Sequence, residues 1–165
     1  MSIRHLDALF SPASVAVIGA SMRLASVGGT VWRNLSNSDF KGRLYAVNPK
    51  HAELGGVKTW ASVADLPVAP ELAVLCTPAA TVVDLITELG ARGTRAAIVL
   101  TAGLTATQKQ AMLDAARVHT LRILGPNCIG MLVPHLGLNA SFAHTGALQG
   151  ELAFVSQSGA LVTAM

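Results

Sequence analysis

Five short, largely apolar runs punctuate the chain at Val15–Gly19, Arg43–Val47, Leu72–Cys76, Ala96–Leu100 and Leu121–Leu124, and each leads into a small or polar turn. Runs this short that do not alternate with polar residues belong to strands covered on both faces. Between them the spacing turns helical. A helix is predicted over about Gly28 to Asn37. For the next, Thr77 can act as cap, Pro78 suits the first position, Val82, Leu85, Ile86 and Leu89 recur on one face, and Gly90 is placed to stop it. Thr105-x-x-Gln108 has the form of a capping box for a helix reaching about His119. Leu6, Leu9 and Phe10 predict a short leading helix, Gly55–Trp60 a turn with a short edge segment, and Ser62–Leu66 a helical turn. Strands separated by helices of this length imply right-handed βαβ units and hence an α/β fold with a mainly parallel sheet flanked by helices.

In such a sheet, ligands sit beyond the carboxyl ends of the strands, near the switch in strand order. Those ends carry Gly19-Ala20-Ser21, Asn48-Pro49-Lys50, Thr77-Pro78, Thr101-Ala102-Gly103 and Gly125-Pro126-Asn127, so five turn motifs converge on one rim. The first is the most telling. The run Val15–Ile18 stops at Gly19, and after a polar stretch Gly28-Gly29 opens a helix, which is the pattern of a strand feeding a phosphate-cradling loop. Ser21 and the amides of Ser26, Val27 and Gly28 are the expected pyrophosphate ligands, with Gly28 and Gly29 leaving room. A dinucleotide fingerprint would need G-x-G-x-x-G here and an acidic residue at the end of the second strand. Neither is present. The second strand ends in Asn48-Pro49-Lys50, and a lysine there suits a ligand with an extra ribose phosphate, which both coenzyme A and NADP possess.

Ser14-Val15-Ala16-Val17-Ile18-Gly19-Ala20-Ser21, Gly42-Arg43-Leu44-Tyr45-Ala46-Val47-Asn48-Pro49-Lys50, Gly125-Pro126-Asn127-Cys128-Ile129-Gly130 and Phe154-Val155-Ser156-Gln157-Ser158-Gly159 resemble, in order, signatures of the NDP-forming acyl-CoA synthetases, the superfamily of the succinyl-CoA ligase alpha subunit. Within it, Leu72–Thr77 and Leu138–Phe142 look most like the bacterial Pat-type protein lysine acetyltransferases, in which a synthetase-like region is fused to a GNAT domain.

The resemblance implies a Rossmann-like coenzyme A-binding domain over residues 1–145. It implies that residues 146–165 begin a second, flavodoxin-like domain, cut just after its start. Lys50 matches a coenzyme A-contacting lysine of the family, and Leu100, Thr101 and Ala102 match the segment lining the adenine or pantetheine path. Related segments often carry a glutamate here, where this chain has Ala102-Gly103-Leu104-Thr105-Ala106. Ser156, Ser158 and Gly159 match the turn that helps hold the phosphate of a phosphohistidine. Gly19, Asn48, Thr77, Pro78 and Asn127 complete the expected cofactor-binding rim.

No catalytic residue is assigned. His5, His51, His119, His135 and His144 do not occupy the phosphohistidine motif, and Cys128 has no His–acid pair near it in sequence. Alone, the chain is expected to bind and not to catalyse. In a synthetase, ATP or ADP and magnesium would enter through ATP-grasp and downstream synthetase domains. In a Pat-type protein, a GNAT domain would acetylate lysines while this region senses acyl-CoA. A stand-alone regulatory module and an NADP-dependent oxidoreductase are the remaining readings, and a homo-oligomer is compatible with all of them.

Composition constrains the partners. With 52% hydrophobic and 13% charged residues among 165, the chain can bury one sizeable core. No apolar stretch approaches the roughly 20 residues of a membrane span, and no secretion signal opens the sequence. The expectation is a cytoplasmic protein without a membrane partner. The Asn34 and Asn139 sequons are then chance matches, and Cys76 and Cys128 show no disulfide framework or metal-ligand spacing. The net charge of +3 is concentrated before residue 51, where Arg4, Arg23, Arg33, Lys41, Arg43 and Lys50 face only Asp7 and Asp39. With no basic helix and 4% aromatic residues, nucleic acid is not an expected partner.

Overall fold

The computed structural model describes residues 3–164. Six parallel strands form its centre: β1 (Ser14–Ile18), β2 (Arg43–Val47), β4 (Val57–Trp60), β5 (Leu72–Leu75), β6 (Ala96–Val99) and β7 (Arg122–Leu124). A two-residue β3 (Glu53–Leu54) runs antiparallel to β4 at the edge, giving the order β3-β4-β2-β1-β5-β6-β7. The order reverses between β1 and β5. Both flank the crevice where a ligand is expected in a doubly wound sheet.

The continuous apolar runs have the anticipated cause. Every residue of β1, β5 and β6 is buried, and successive side chains feed opposite layers. Val15, Val17, Leu72, Val74 and Ile98 pack with α1 (Leu6–Phe10) and α2 (Val27–Ser36). Ala16, Ile18, Ala73, Leu75 and Val99 pack with α3 (Val82–Arg92) and α4 (Ala106–Val118). Each fully buried Val, Leu or Ile side chain contributes about 1.5–3 kcal/mol of transfer free energy.

The Thr105 capping box forms in both directions: the Thr105 hydroxyl accepts from the Gln108 backbone amide at 3.2 Å, and Gln108 Oε1 accepts from the Thr105 amide at 2.9 Å. Three local expectations are corrected. Gly90 does not stop α3, which continues to Arg92 and ends at Gly93 in the left-handed region (φ 98°). Gly90 is instead a close-packing site, since a Cβ there would lie 2.6 Å from the His119 ring. Thr77 does not cap the helix: Pro78 is extended, Ala79–Thr81 form a 3-10 turn, and α3 begins only at Val82. Ser62–Leu66 forms turns without a helix, held by Ser62 on Asp65 and by Arg92 donating to the Ala64 and Leu66 carbonyls.

After β7 the chain forms an antiparallel hairpin, β8 (Gly130–Val133) and β9 (Leu138–Ser141), against the α2 layer. Asn34 of α2 fastens it, donating from Nδ2 to the Ser141 and Ala143 carbonyls at 2.9 and 3.0 Å. Beyond the hairpin, Leu152–Val155 forms no strand. Leu148, Leu152 and Val155 stand 95%, 99% and 94% exposed. A six-residue helix, α5 (Gly159–Ala164), follows. No helix among the described residues is long and apolar enough to cross a membrane.

Candidate functional site at the carboxyl rim

The loop after β1 is built around two glycines in contact. Gly19 takes a positive φ of 88°, and the α2 helix enters so close above it that a Cβ on Gly28 would lie 1.9 Å from the Gly19 carbonyl oxygen. Only glycine allows that approach. Ser26 caps α2, accepting from the Gly29 amide at 3.1 Å, while its hydroxyl donates to the Arg23 carbonyl at 2.8 Å. The Ser26 amide also donates to Arg23, at 3.1 Å, so it is not left for a ligand. Val27 and Gly28 are different. As the first two residues of the helix they have no intrahelical acceptor, and their amides bond to no group among the described residues. Two N–H groups at the positive end of a helix form an anion-binding edge.

Ser21 stands at the start of this loop. Its Oγ accepts from the Arg23 amide at 3.0 Å, which leaves its O–H as a donor. Arg23, which in the sequence stands out only as surface charge, has its backbone pinned against the first turn of α2 by these bonds. Its guanidinium pairs with no acid among the described residues.

At the end of β2, Asn48 bridges two segments. Its Nδ2 donates to the Ala20 carbonyl at 2.7 Å and its Oδ1 accepts from the Lys50 amide at 2.9 Å, closing an Asx turn around Pro49. Lys50 is exposed and pairs with no acid among the described residues.

Beyond the switch point, the Thr101 hydroxyl donates to the Thr77 carbonyl at 2.7 Å and the Asn127 amide donates to the Thr101 carbonyl at 3.0 Å. Thr77 Oγ1 lies 2.9 Å from the Thr81 hydroxyl. Thr101 and Asn127 thus tie neighbouring loops together while Pro78, Ala102 and Asn127 remain exposed and Leu100 is buried beneath them. The rim is cross-linked from Ala20 to Asn48 on one side and from Thr77 to Asn127 on the other.

Both cysteines lie under this surface as protonated thiols. Burial pushes the Cys76 thiol up to about 12, with the nearby Cys128 adding to the rise. Cys128 is also raised by burial, against smaller opposing contributions from the backbone groups of Gly130 and Cys128 itself. Its sulfur lies 3.5 Å from the Val99 carbonyl oxygen as a packed donor. A thiol so placed is a poor nucleophile at neutral pH. No group of three or more His, Cys, Asp or Glu among the described residues is placed to hold a metal ion.

Ser156, Ser158 and Gly159 gather separately. Ser156 Oγ accepts from the Ser158 amide at 3.0 Å and Ser158 Oγ from the Leu161 amide at 3.3 Å, a local serine turn at the start of α5. A cleft of about 450 Å³ lies elsewhere again, between the carboxyl end of α2 and the β8–β9 hairpin, lined by Arg33, Asn37, Asp39, Pro134 and Asn139 among others.

The CoA binding domain family model matches residues 13–134. The ADP-forming acetate–CoA ligase I of Archaeoglobus fulgidus is 36% identical over 166 residues, covering 97% of this chain and 24% of the relative. The ADP-forming acetate–CoA ligase of Methanocaldococcus jannaschii is 37% identical over 158 residues, covering 93% and 22%. The chain therefore spans about a quarter of the length of these relatives. Acetyl-coenzyme A synthetase 1 of Ca. Korarchaeum cryptofilum, solved in complex with phosphate and ADP, superposes with a TM-score of 0.91 at 36% identity, over 96% of this chain and 35% of that one. The family-model match and these relatives place the chain in the CoA-binding domain family, in the part it shares with ADP-forming acetate–CoA ligases.

Proposed function

We propose that the chain binds coenzyme A and its thioesters across the carboxyl rim, as the CoA-binding part of an ADP-forming acyl-CoA synthetase. The observation that carries this reading is the pair of free amides on Val27 and Gly28, seated on Gly19 beside a strand end that offers Lys50 and no carboxylate. The pyrophosphate would lie on those amides and the Ser21 hydroxyl, with Lys50 on the 3′-phosphate. Thr77, Pro78, Leu100, Thr101, Ala102 and Asn127 would line the remaining path, Thr101 and Asn127 chiefly by holding the loops. Gly19 supplies the close approach and Ser26 the cap.

In this reading residues 1–145 are the binding domain. The exposed apolar side chains of Leu148, Leu152 and Val155 support residues 146–165 as the beginning of a second domain that other parts of a longer protein would cover. The Ser156–Gly159 turn would then serve that domain's phosphate chemistry. ATP or ADP and magnesium would be handled by ATP-grasp and synthetase domains, in the cytoplasm. In the alternative parent, a GNAT-fused lysine acetyltransferase, this region would sense acyl-CoA while the GNAT domain acetylates lysines.

Calorimetric titration of the chain with coenzyme A, acetyl-CoA, NAD and NADP tests the binding step. Tighter binding of either coenzyme A ligand is expected. NADP binding more tightly than coenzyme A would overturn the assignment and favour an oxidoreductase domain. For a longer protein containing this domain, acid-labile phosphorylation would mark a synthetase, and acyl transfer to a lysine substrate would mark the alternative.

A further inference from the structure

We infer that Asn48 is a positioning residue that sets where Lys50 presents its ammonium, so that selectivity for the 3′-phosphate belongs to the Asn48–Lys50 turn and not to the lysine alone. The inference rests on the coenzyme A reading above.

Asn48 is held at three points. Its backbone amide donates to the Trp60 carbonyl at 2.9 Å, its Nδ2 donates to the Ala20 carbonyl at 2.7 Å, and its Oδ1 accepts from the Lys50 amide at 2.9 Å. The side-chain carbonyl and one N–H are thereby engaged inside the protein, which leaves little of the amide for a ligand. Pro49 presets one central dihedral of the turn and the Asx bond fixes the next residue, so the backbone of Lys50 is rigid. The lysine side chain is the opposite case. It is exposed, pairs with no acid among the described residues, and has a flexible four-carbon stem. Where its ammonium can reach is decided by its Cα, and the Cα is placed by Asn48. Because the same side chain grips Ala20, next to Ser21, it also fixes the distance between the lysine and the pyrophosphate loop. Two phosphates on one ligand need that distance held.

The test compares coenzyme A with dephospho-CoA, which lacks only the 3′-phosphate, by calorimetry on the 165-residue chain and its variants. Asn48→Ala removes the turn bond. Asn48→Gln keeps the amide but carries it one methylene too far to close the turn, and it decides the matter should the alanine variant not fold. Each is expected to lower the ratio of coenzyme A to dephospho-CoA affinity by about three- to tenfold, part of what loss of a charge-assisted hydrogen bond removes. In the Lys50→Ala background, Asn48→Gln is expected to leave the ratio where Lys50→Ala put it. A ratio held within about twofold in Asn48→Gln, or a further fall in the double variant, would overturn the positioning role while leaving coenzyme A binding intact. Failure of the unaltered chain to bind coenzyme A would instead overturn the ligand assignment beneath it.

Discussion

Replacing Gly28 with alanine sets two effects of opposite sign against each other. Alanine is the better helix former by about 1 kcal/mol, so local propensity alone predicts a more stable α2. The contact with β1 predicts the reverse. The added Cβ would stand 1.9 Å from the Gly19 carbonyl oxygen and 3.0 Å from its carbon, where ordinary contact begins at 3.4 Å. The obstacle is backbone on both sides, so no side chain can swing away. The end of the helix must retreat by more than about 1 Å, and overpacking of this kind costs about 1–3 kcal/mol. The clash wins or at least cancels the propensity gain. Binding should suffer more, because the retreat carries the Val27 and Gly28 amides away from the loop they face. Thermal melts are expected to show a Tm unchanged or lowered by a few degrees. Coenzyme A titration of the same folded variant is expected to show a loss of more than about tenfold, as for groups aimed at an anion. A variant that melts higher and binds coenzyme A as before would refute the argument that this contact positions the amides.

Other expectations concern the rim and the thiols beneath it. Lys50→Ala should cost coenzyme A binding about 1.5–3 kcal/mol at low salt and less as salt rises, with dephospho-CoA much less affected. Equal losses for both ligands in calorimetry would move Lys50 to the pyrophosphate. Because the Cys76 thiol stays protonated to about 12 when folded but titrates near 9.0 when unfolded, the unfolded chain loses that proton first as pH rises. Its contribution to stability is intact below pH 9 and declines from there toward pH 12. Urea midpoints at about pH 8 and 10 should therefore fall more steeply for the native chain than for Cys76→Ala, and equal slopes would contradict the burial argument. Purified chain given ADP, phosphate and acetyl-CoA should release no free coenzyme A in a thiol-release assay, since neither cysteine is activated and no histidine occupies the phosphohistidine motif. Measurable turnover would mean that a catalytic group has been overlooked.

What could be read from the sequence was whatever depends on near neighbours. The apolar runs of β1, β5 and β6 need only burial on both faces to be recognised, and the Thr105 capping box closes between residues 105 and 108. Gly90 misleads because its reason lies across the helix layer, in the His119 ring. Thr77 misleads because Pro78 stays extended and delays the helix by a turn. The edge segment Val57–Trp60 proved to be a parallel strand, although only Thr59 and Trp60 pair with β2. At the rim, residue types pointed to an anion site, but which donors remain free depends on bonds to distant atoms. Ser26 commits its amide to Arg23, and Asn48 ties its side chain to Ala20, which comes from beyond a different strand. Residue pattern alone does not reveal those bonds.

The central position of β1 has a consequence for synthesis on the ribosome. Val15 pairs with Leu44 on one side and with Leu72 on the other, so β1 leaves the exit tunnel well before the strand that completes it. During that interval a nascent chain can assemble β1, β2 and β4 but must carry an apolar strand with one edge open, the kind of surface that chaperones shield and that other chains can join. Anything that delays the emergence of β5 after β2 and β4 are out would lengthen this vulnerable period.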